Sequence, residues 1–306
     1  MLIGVTGGSG FIGSHVVDKL LDKGHDVRVI DMVPPHRNDV DYCNIDLLNL
    51  TDVHEATKDM DCIYHLAAVS NVNKAYEDPL YCVKLNTVGT TNILEAARKN
   101  DLKRVLFAST VWVYGSAREK DVNEDSPFYM PGAGHVYTSS KIASELFIHD
   151  YKELYKVKST ILRYGIPYGP RARSGTIMPI FVKKAFNNEP LTIFGDGSQY
   201  RNFIYVEDLA DGNVAALNKK AEDQTYNLEG KRPITVKEVA ETVRNIIGNH
   251  VTIEYKDARP GDYEGKVVSS EKAKKELGWA PKIDFEEGMQ RYIQWYKEAQ
   301  QMAIRV

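Results

Sequence analysis

The chain contains eighteen tyrosines, and only Tyr137 is followed by a lysine four residues later. The run after it, Ile142 to Lys156, has no glycine or proline and is predicted to be helical. Residues four apart on a helix share one face, so the Lys141 ammonium is expected beside the Tyr137 phenol. A neighbouring cation favours the phenolate and lowers a pKa that starts near about 10. That would fit Tyr137 for acid/base work at neutral pH. Tyr-x-x-x-Lys also arises by chance on surface helices, so the pair needs support from the rest of the chain.

The support begins at the N-terminus. Leu2 to Thr6 is a short apolar run, expected as a buried strand, and GGSGFIG follows at Gly7 to Gly13. A helical pattern covers Ser14 to Lys23, and Val27 to Ile30 is predicted as a second strand ending at Asp31. This is a strand-turn-helix-strand unit of the dinucleotide-binding type. Gly7 permits the tight turn, Gly10 lets the backbone approach a pyrophosphate, and Gly13 lets helix and strand pack closely. The helix N-terminus offers free amides and the positive dipole end to phosphates. Asp31, 18 residues after Gly13, stands where a carboxylate bonds ribose hydroxyls and repels a 2'-phosphate, which predicts NAD over NADP.

The elements that must position these groups keep alternating. Strands are predicted at Asp41 to Ile45, with Asp46 and Leu47 at its end, and at Cys62 to Leu66, Val105 to Ala108 and Thr160 to Arg163. Helices are predicted at Thr51 to Asp59 and Thr90 to Lys99, the latter preceded by a helical region holding Asn86. Such alternation predicts an α/β fold, a doubly wound parallel sheet with helices on both faces. Ligands then bind beyond the carboxyl ends of the strands, where Asp46, Ala67, Ala68, Thr110 and Tyr164 fall. From about Ile166 glycine and proline become frequent. We expect a Rossmann domain over residues 1–165, to which 204–228 return, and a smaller α/β substrate domain from 166–203 and 229–306.

Composition narrows the function. The net charge of -3 over 306 residues gives no footprint for nucleic acid or an anionic membrane. No apolar run approaches the roughly 20 residues of a membrane span. Cys43, Cys62 and Cys82 are unclustered, which suits a reduced cytoplasmic protein, and no metal site is expected.

With these landmarks in order, the chain resembles the extended short-chain dehydrogenases/reductases, specifically nucleotide-sugar epimerases such as the UDP-glucose 4-epimerases. The resemblance runs through GGSGFIGSH, HLAA at His65 to Ala68, STVWVYG at Ser109 to Gly115, YTSSK, RYGIPYGP at Arg163 to Pro170, GDGSQYRNF at Gly195 to Phe203, RPGD at Arg259 to Asp262 and LGWAP at Leu277 to Pro281. It implies a triad in which Thr110 hydrogen-bonds the sugar hydroxyl, Tyr137 takes its proton and Lys141 holds the phenolate and the nicotinamide ribose. It also implies NAD contacts by Phe11, Ile12, Asp46, Leu47, Leu66, Ala67, Ala68, Asn86, Tyr164 and Pro167. For the substrate it implies Thr110, Thr176, Ile193, Arg201, Arg259, Asp262 and Lys266, with both arginines on the diphosphate. Lys266 at a sugar-lining position would favour an acidic or bulky polar sugar. Ile166, Thr176, Asn202 and Ser269 depart from the family pattern.

The expected function is NAD-dependent epimerisation of a nucleotide sugar at C4 through a keto-sugar. The alternatives are a 4,6-dehydratase or decarboxylase, a reductase, or a non-catalytic NAD sensor. Dehydratases of the family carry an Asp-Glu pair where Val111 and Trp112 stand, and those two have no proton to move. The Tyr137 helix carries Ile142, Leu146, Phe147, Ile148, Tyr151, Leu154 and Tyr155, so it is apolar on more than one side. It is expected to pack on the sheet with one face and on a second copy with another, giving a homodimer.

Overall fold

The computed structural model describes residues 1–128, 134–258 and 265–304. Seven parallel strands form the central sheet: β1 (Leu2–Thr6), β2 (Asp26–Ile30), β3 (Asp41–Cys43), β4 (Cys62–His65), β5 (Arg104–Thr110), β6 (Ser159–Tyr164) and β7 (Gln224–Leu228). Their spatial order is β7-β6-β5-β4-β1-β2-β3, so the order reverses at β1 and β4. This is the doubly wound arrangement, with the crevice for ligands at the reversal. Every residue of β4, β5 and β6 is buried, as befits strands covered on both faces.

Alternating side chains feed two cores. Ile3, Val5, Leu106 and Ala108 join Val16 and Leu20 of the Phe11–Asp22 helix and Leu209 of the Val206–Ala215 helix. Val105, Phe107 and Ile63 pack on the other face against Ile93 and Leu94 of the Gly89–Lys99 helix and Ile148 of the Val136–Tyr155 helix. A third core joins Tyr168, Phe181, Leu191, Ile193, Phe203, Val239 and Met289 beyond the carboxyl edge of the sheet. Short ladders stitch this part together. Ile166–Tyr168 pairs with Phe203–Tyr205, and Leu191–Phe194 with Ile253–Lys256.

Two boundaries differ from expectation in ways that matter. The helix bearing Tyr137 begins at Val136, where the His135 side chain accepts the Thr138 amide as a cap. Before Gly89 the chain makes a π-helical turn, Lys84–Val88, and the wider turn carries Asn86.

One buried group has no function in the fold itself. Glu229 follows β7 with 1% of its surface exposed, and neither carboxyl oxygen has a hydrogen-bond partner. Gly165 makes room for it, since a Cβ there would lie 2.3 Å from Oε2. Burial pushes this carboxyl well above the ordinary range. A folded pKa raised above the unfolded value near about 4.3 means the folded state keeps a proton the unfolded chain has released. Stability therefore falls as pH rises from there towards the folded pKa, by up to about 1.4 kcal/mol per pH unit. Glu229→Gln cannot ionise, so its melting temperature should exceed the parent's more at pH 8 than at pH 5. A constant difference across that range, by scanning calorimetry, would refute the assignment.

Candidate active site

The last three residues of β5 organise the site, each holding a different partner. The Ala108 carbonyl accepts from Lys141 Nζ at 2.7 Å. The Ser109 hydroxyl donates to Glu145 Oε1 at 2.5 Å. Thr110 pairs through its hydroxyl with the Tyr137 phenol, an interaction that favours the phenolate. Tyr137, Lys141 and Glu145 lie at successive turns of one helix, so one helix face meets one strand end. Thr110, Tyr137 and Lys141 are thus brought together.

The electrostatics differ from the expected picture. Burial raises the Tyr137 phenol to about 12, and the two influences lowering it are the Thr110 hydroxyl and the Arg173 guanidinium. Lys141 does not lower it. Its ammonium is turned to Ala108 and lies 4.5 Å from the centre of the Phe107 ring. Burial brings Lys141 itself down to about 7, partly offset by the charge of Glu145. The reason is solvation: both groups are buried, and desolvation disfavours the charged form of each.

The glycine loop forms a cradle. Gly7 has φ of +68°, and a Cβ there would lie 2.8 Å from the Ala67 nitrogen. A Cβ on Gly13 would lie 2.0 Å from the Gly7 oxygen, so the helix start can come this close only with glycine. Gly10 caps the Phe11–Asp22 helix with no side chain, leaving the amides beside Phe11 and Ile12 for an anion. Asp31 receives the Ser9 amide at 3.1 Å and the Val33 amide at 3.2 Å, one on each oxygen. Thr6 Oγ1 accepts the amides of Leu66 and Ala67 and so shapes the HLAA turn that continues to Ala68. Asp46 lies beyond the end of β3 and accepts the Leu48 amide, while Leu47 is buried in the core.

Other expected contacts are placed differently. Asn86 is buried with both ends occupied: Oδ1 accepts the Val69 amide, and Nδ2 donates to the Val69 carbonyl and to Ser140. It braces the loop after β4 against the Tyr137 helix and has no free end for a cofactor. The Tyr164 phenol donates to Asn213 Oδ1 at 2.5 Å, leaving only its backbone at the strand end. Pro167 lies in the Ile166–Tyr168 ladder.

On the expected substrate side, an open cleft is bounded by Val111, Trp112, Ile166, Arg201, Asn202 and Lys266. Lys266 corrects the expectation of a cation aimed at the sugar. Its Nζ donates to the Ala117 and Glu119 carbonyls at 2.5 and 2.9 Å, because those carbonyls otherwise face the same gap. Asn202 Nδ2 in turn donates to the Lys266 carbonyl. Ile193 has no exposed surface, since its strand runs through the third core, so its side chain cannot line a pocket. Thr176 caps the Ile177–Phe186 helix without a side-chain bond. Arg259 and Asp262 lie outside the described residues.

Two functional features escaped the sequence reading. Arg173 donates to the Ser70 hydroxyl and carbonyl at 2.8 and 3.0 Å, and its charge reaches Tyr137. Nothing local marks it except two arginines in a glycine- and proline-rich run. The Glu145–Arg163 pair was hidden by distance along the chain, although Glu145 repeats the four-residue step from Tyr137 and Lys141.

A model of the NAD dependent epimerase/dehydratase family matches residues 3–228. A putative UDP-glucose 4-epimerase of Methanocaldococcus jannaschii is 36% identical over 308 residues, 97% of this chain and 98% of that protein. A UDP-N-acetyl-alpha-D-glucosaminuronate decarboxylase of Bacillus cytotoxicus is 30% identical over 96% of this chain and 97% of its own. The solved UDP-glucuronic acid 4-epimerase from Bacillus cereus, in complex with UDP-glucuronic acid and NAD, superposes with a TM-score of 0.89 at 30% identity, covering 98% of this chain and 100% of that one.

The cofactor is NAD, and the cradle fits it: the free helix amides suit a pyrophosphate and Asp31 suits an unphosphorylated ribose. Calorimetry should therefore find NAD bound far more tightly than NADP. Asp31→Ala should narrow the gap by roughly tenfold, the scale of one relieved like-charge contact. Equal affinities in the parent protein would defeat this role for Asp31.

Proposed function

Because the chain belongs to the NAD dependent epimerase/dehydratase family, we propose that it interconverts two UDP sugars differing at C4, of the glucose/galactose or uronic acid type. The observation that carries this is the Thr110–Tyr137–Lys141 cluster at the end of β5 beside a cleft walled by Val111 and Trp112. That wall supplies no acid/base pair for eliminating water.

The chain's own residues would act as follows. Thr110 would orient the sugar hydroxyl and Tyr137 would take its proton as hydride leaves the same carbon, giving a keto-sugar, and Tyr137 would later return the proton to that oxygen when hydride comes back to the opposite face. NAD, when bound, supplies the hydride acceptor and, in oxidised form, a positive ring. Arg173 brings positive charge to the phenol from the segment after Ile166–Tyr168, while Lys141 stays on the Ala108 carbonyl. The residues 166–203 and 229–306 would form the lobe that closes on the nucleotide.

Assembly follows from the surface. Leu146, Phe147, Leu154 and Tyr155 of the Tyr137 helix are exposed, as are Val83 and Val88 on the neighbouring turns. An apolar strip of this kind on paired helices suits a second copy of the chain, giving a homodimer.

Two experiments test these readings. Purified protein should convert one UDP sugar to its C4 epimer with no net change in NADH, followed by proton NMR. Tyr137→Phe should lower kcat by about 10²- to 10⁴-fold while NAD still binds. Loss of water or carbon dioxide from the product, or full activity in that variant, would sink the assignment. Light scattering at micromolar concentration should give a dimer, and Phe147→Glu should shift it to monomer. A monomeric parent protein would remove the assembly.

A further inference from the structure

Lys141 meets ionisable groups from several elements. Tyr137 and Glu145 come from its own helix, Cys82 from the Pro79–Val83 helix and His65 from β4. The Phe107 ring and the Ala108 carbonyl face it from β5. Arg163 on β6 stands behind Glu145, and Arg173 faces Tyr137. Three of these carry no charge at neutral pH. Burial brings His65 down to about 3 and raises Cys82, so the imidazole and the thiol are both neutral. Tyr137 is a phenol in the resting site. Among the described residues, that leaves Glu145 as the anion bearing on the Lys141 ammonium.

Glu145 is surrounded by hydrogen-bond donors. It has no exposed surface, yet its two oxygens receive three donors: Arg163 Nε at 3.1 Å, Arg163 Nη2 at 2.7 Å and the Ser109 hydroxyl at 2.5 Å. Arg163 is fixed in turn by donating to the Tyr114 hydroxyl at 2.6 Å, and Tyr114 donates to Asn227. The carboxylate sits four residues beyond Lys141, so the two side chains share a helix face. Ser109 also lies between Ala108, which holds the ammonium, and Thr110, which holds the phenol.

We propose that Glu145 is the counter-charge that keeps Lys141 an ammonium ion, and so is a positioning residue for the proton transfer, acting through Lys141 and never touching the sugar. The proposal rests on the acid/base assignment of Tyr137 and Lys141 only for its consequence in catalysis. The charge relation itself stands without it.

The test uses the full chain and two variants. Glu145→Gln removes the charge but strands Arg163, so Glu145→Gln/Arg163→Met is made beside it, with thermal unfolding and NAD binding as checks of folding. Lysine 13Cε and 15Nζ NMR, with Lys141→Met to assign the signal, reads the Lys141 titration directly, whatever reaction the enzyme runs. In the double variant the Lys141 midpoint should fall by about one pH unit, the low end for loss of a nearby opposite charge. The basic limb of kcat should move down with it, costing up to about tenfold in rate above the midpoint, with KM little changed. Rate would fall at high pH because the proton transfer is assigned to the ammonium form of Lys141. A Lys141 midpoint unmoved in the double variant would overturn the proposal, because Glu145 would then serve only to neutralise Arg163. A moved midpoint with an unmoved rate profile would confirm the charge relation and overturn its catalytic consequence, and with it the assigned role of Lys141.

Discussion

Lys141 places an ammonium ion with 3% of its surface exposed between a strand end and a helix. Removing a charge from water costs several kcal/mol even after relaxation, and the protein offsets that only with good geometry. Here the offset comes from a carbonyl at 2.7 Å, an aromatic face at 4.5 Å and the Glu145 carboxylate one turn away. Each compensating group is itself buried and must be satisfied. That requirement extends through Arg163 and Tyr114 to Asn227, which accepts from Tyr114 and passes its own donors to Glu124 and Ser269. The network joins β5, β6, β7 and the Tyr137 helix. A buried polar network of this kind rigidifies when every member is paired. The acid/base groups are therefore held by the same interactions that hold the sheet edge.

The raised phenol has a chemical meaning within this frame. A tyrosine near 12 is a proton holder, and the resting site does not keep a phenolate. A nearby positive charge stabilises the ionised form, and Arg173 supplies one. It comes from the segment after Ile166–Tyr168 and is anchored on Ser70 in the loop after β4. In the same segment Arg171 pairs with Asp18 at 2.6 Å and meets His15 at 3.1 Å. The two arginines fasten this stretch to the first lobe on either side of the glycine loop. The charge that favours the Tyr137 phenolate is thus held by a contact between distant stretches of the chain.

Much of the first lobe was legible from the sequence because its determinants are local. The Gly7–Gly13 spacing, the acid after β2 and the alternation of short apolar runs with helical patterns each encode a nearby geometry. Strand positions agreed within a few residues for this reason. The Tyr137–Lys141 step correctly predicted a shared helix face but not where the ammonium points, since spacing is silent on burial and on the free carbonyl of Ala108. Contacts between distant segments were illegible for the same reason. Ser70 and Arg173 are 103 residues apart, and Ala117 and Lys266 are 149 apart. Lys266 reads as an exposed cation until the carbonyls it covers are seen. Ile193 and Asn86 show the complementary case, in which a residue at a plausible contact position is consumed by packing or by its own hydrogen bonds.

The cleft wall suits the proposed reaction in a way that titratable groups alone do not convey. An enzyme that returns hydride to the opposite face of a keto-sugar must hold the nucleotide firmly and let the ring turn. Directional hydrogen bonds to the ring would have to break at each turn, whereas apolar contact changes little with orientation. Val111, Trp112 and Ile166 provide contact of the second kind. The polar side chains of Asn202 and Lys266 in the same wall donate to backbone carbonyls. They shape the cleft without fastening the sugar. In the proposed reaction the directional hold would fall largely to the strand end, where Thr110 and Tyr137 would meet the hydroxyl whose proton moves.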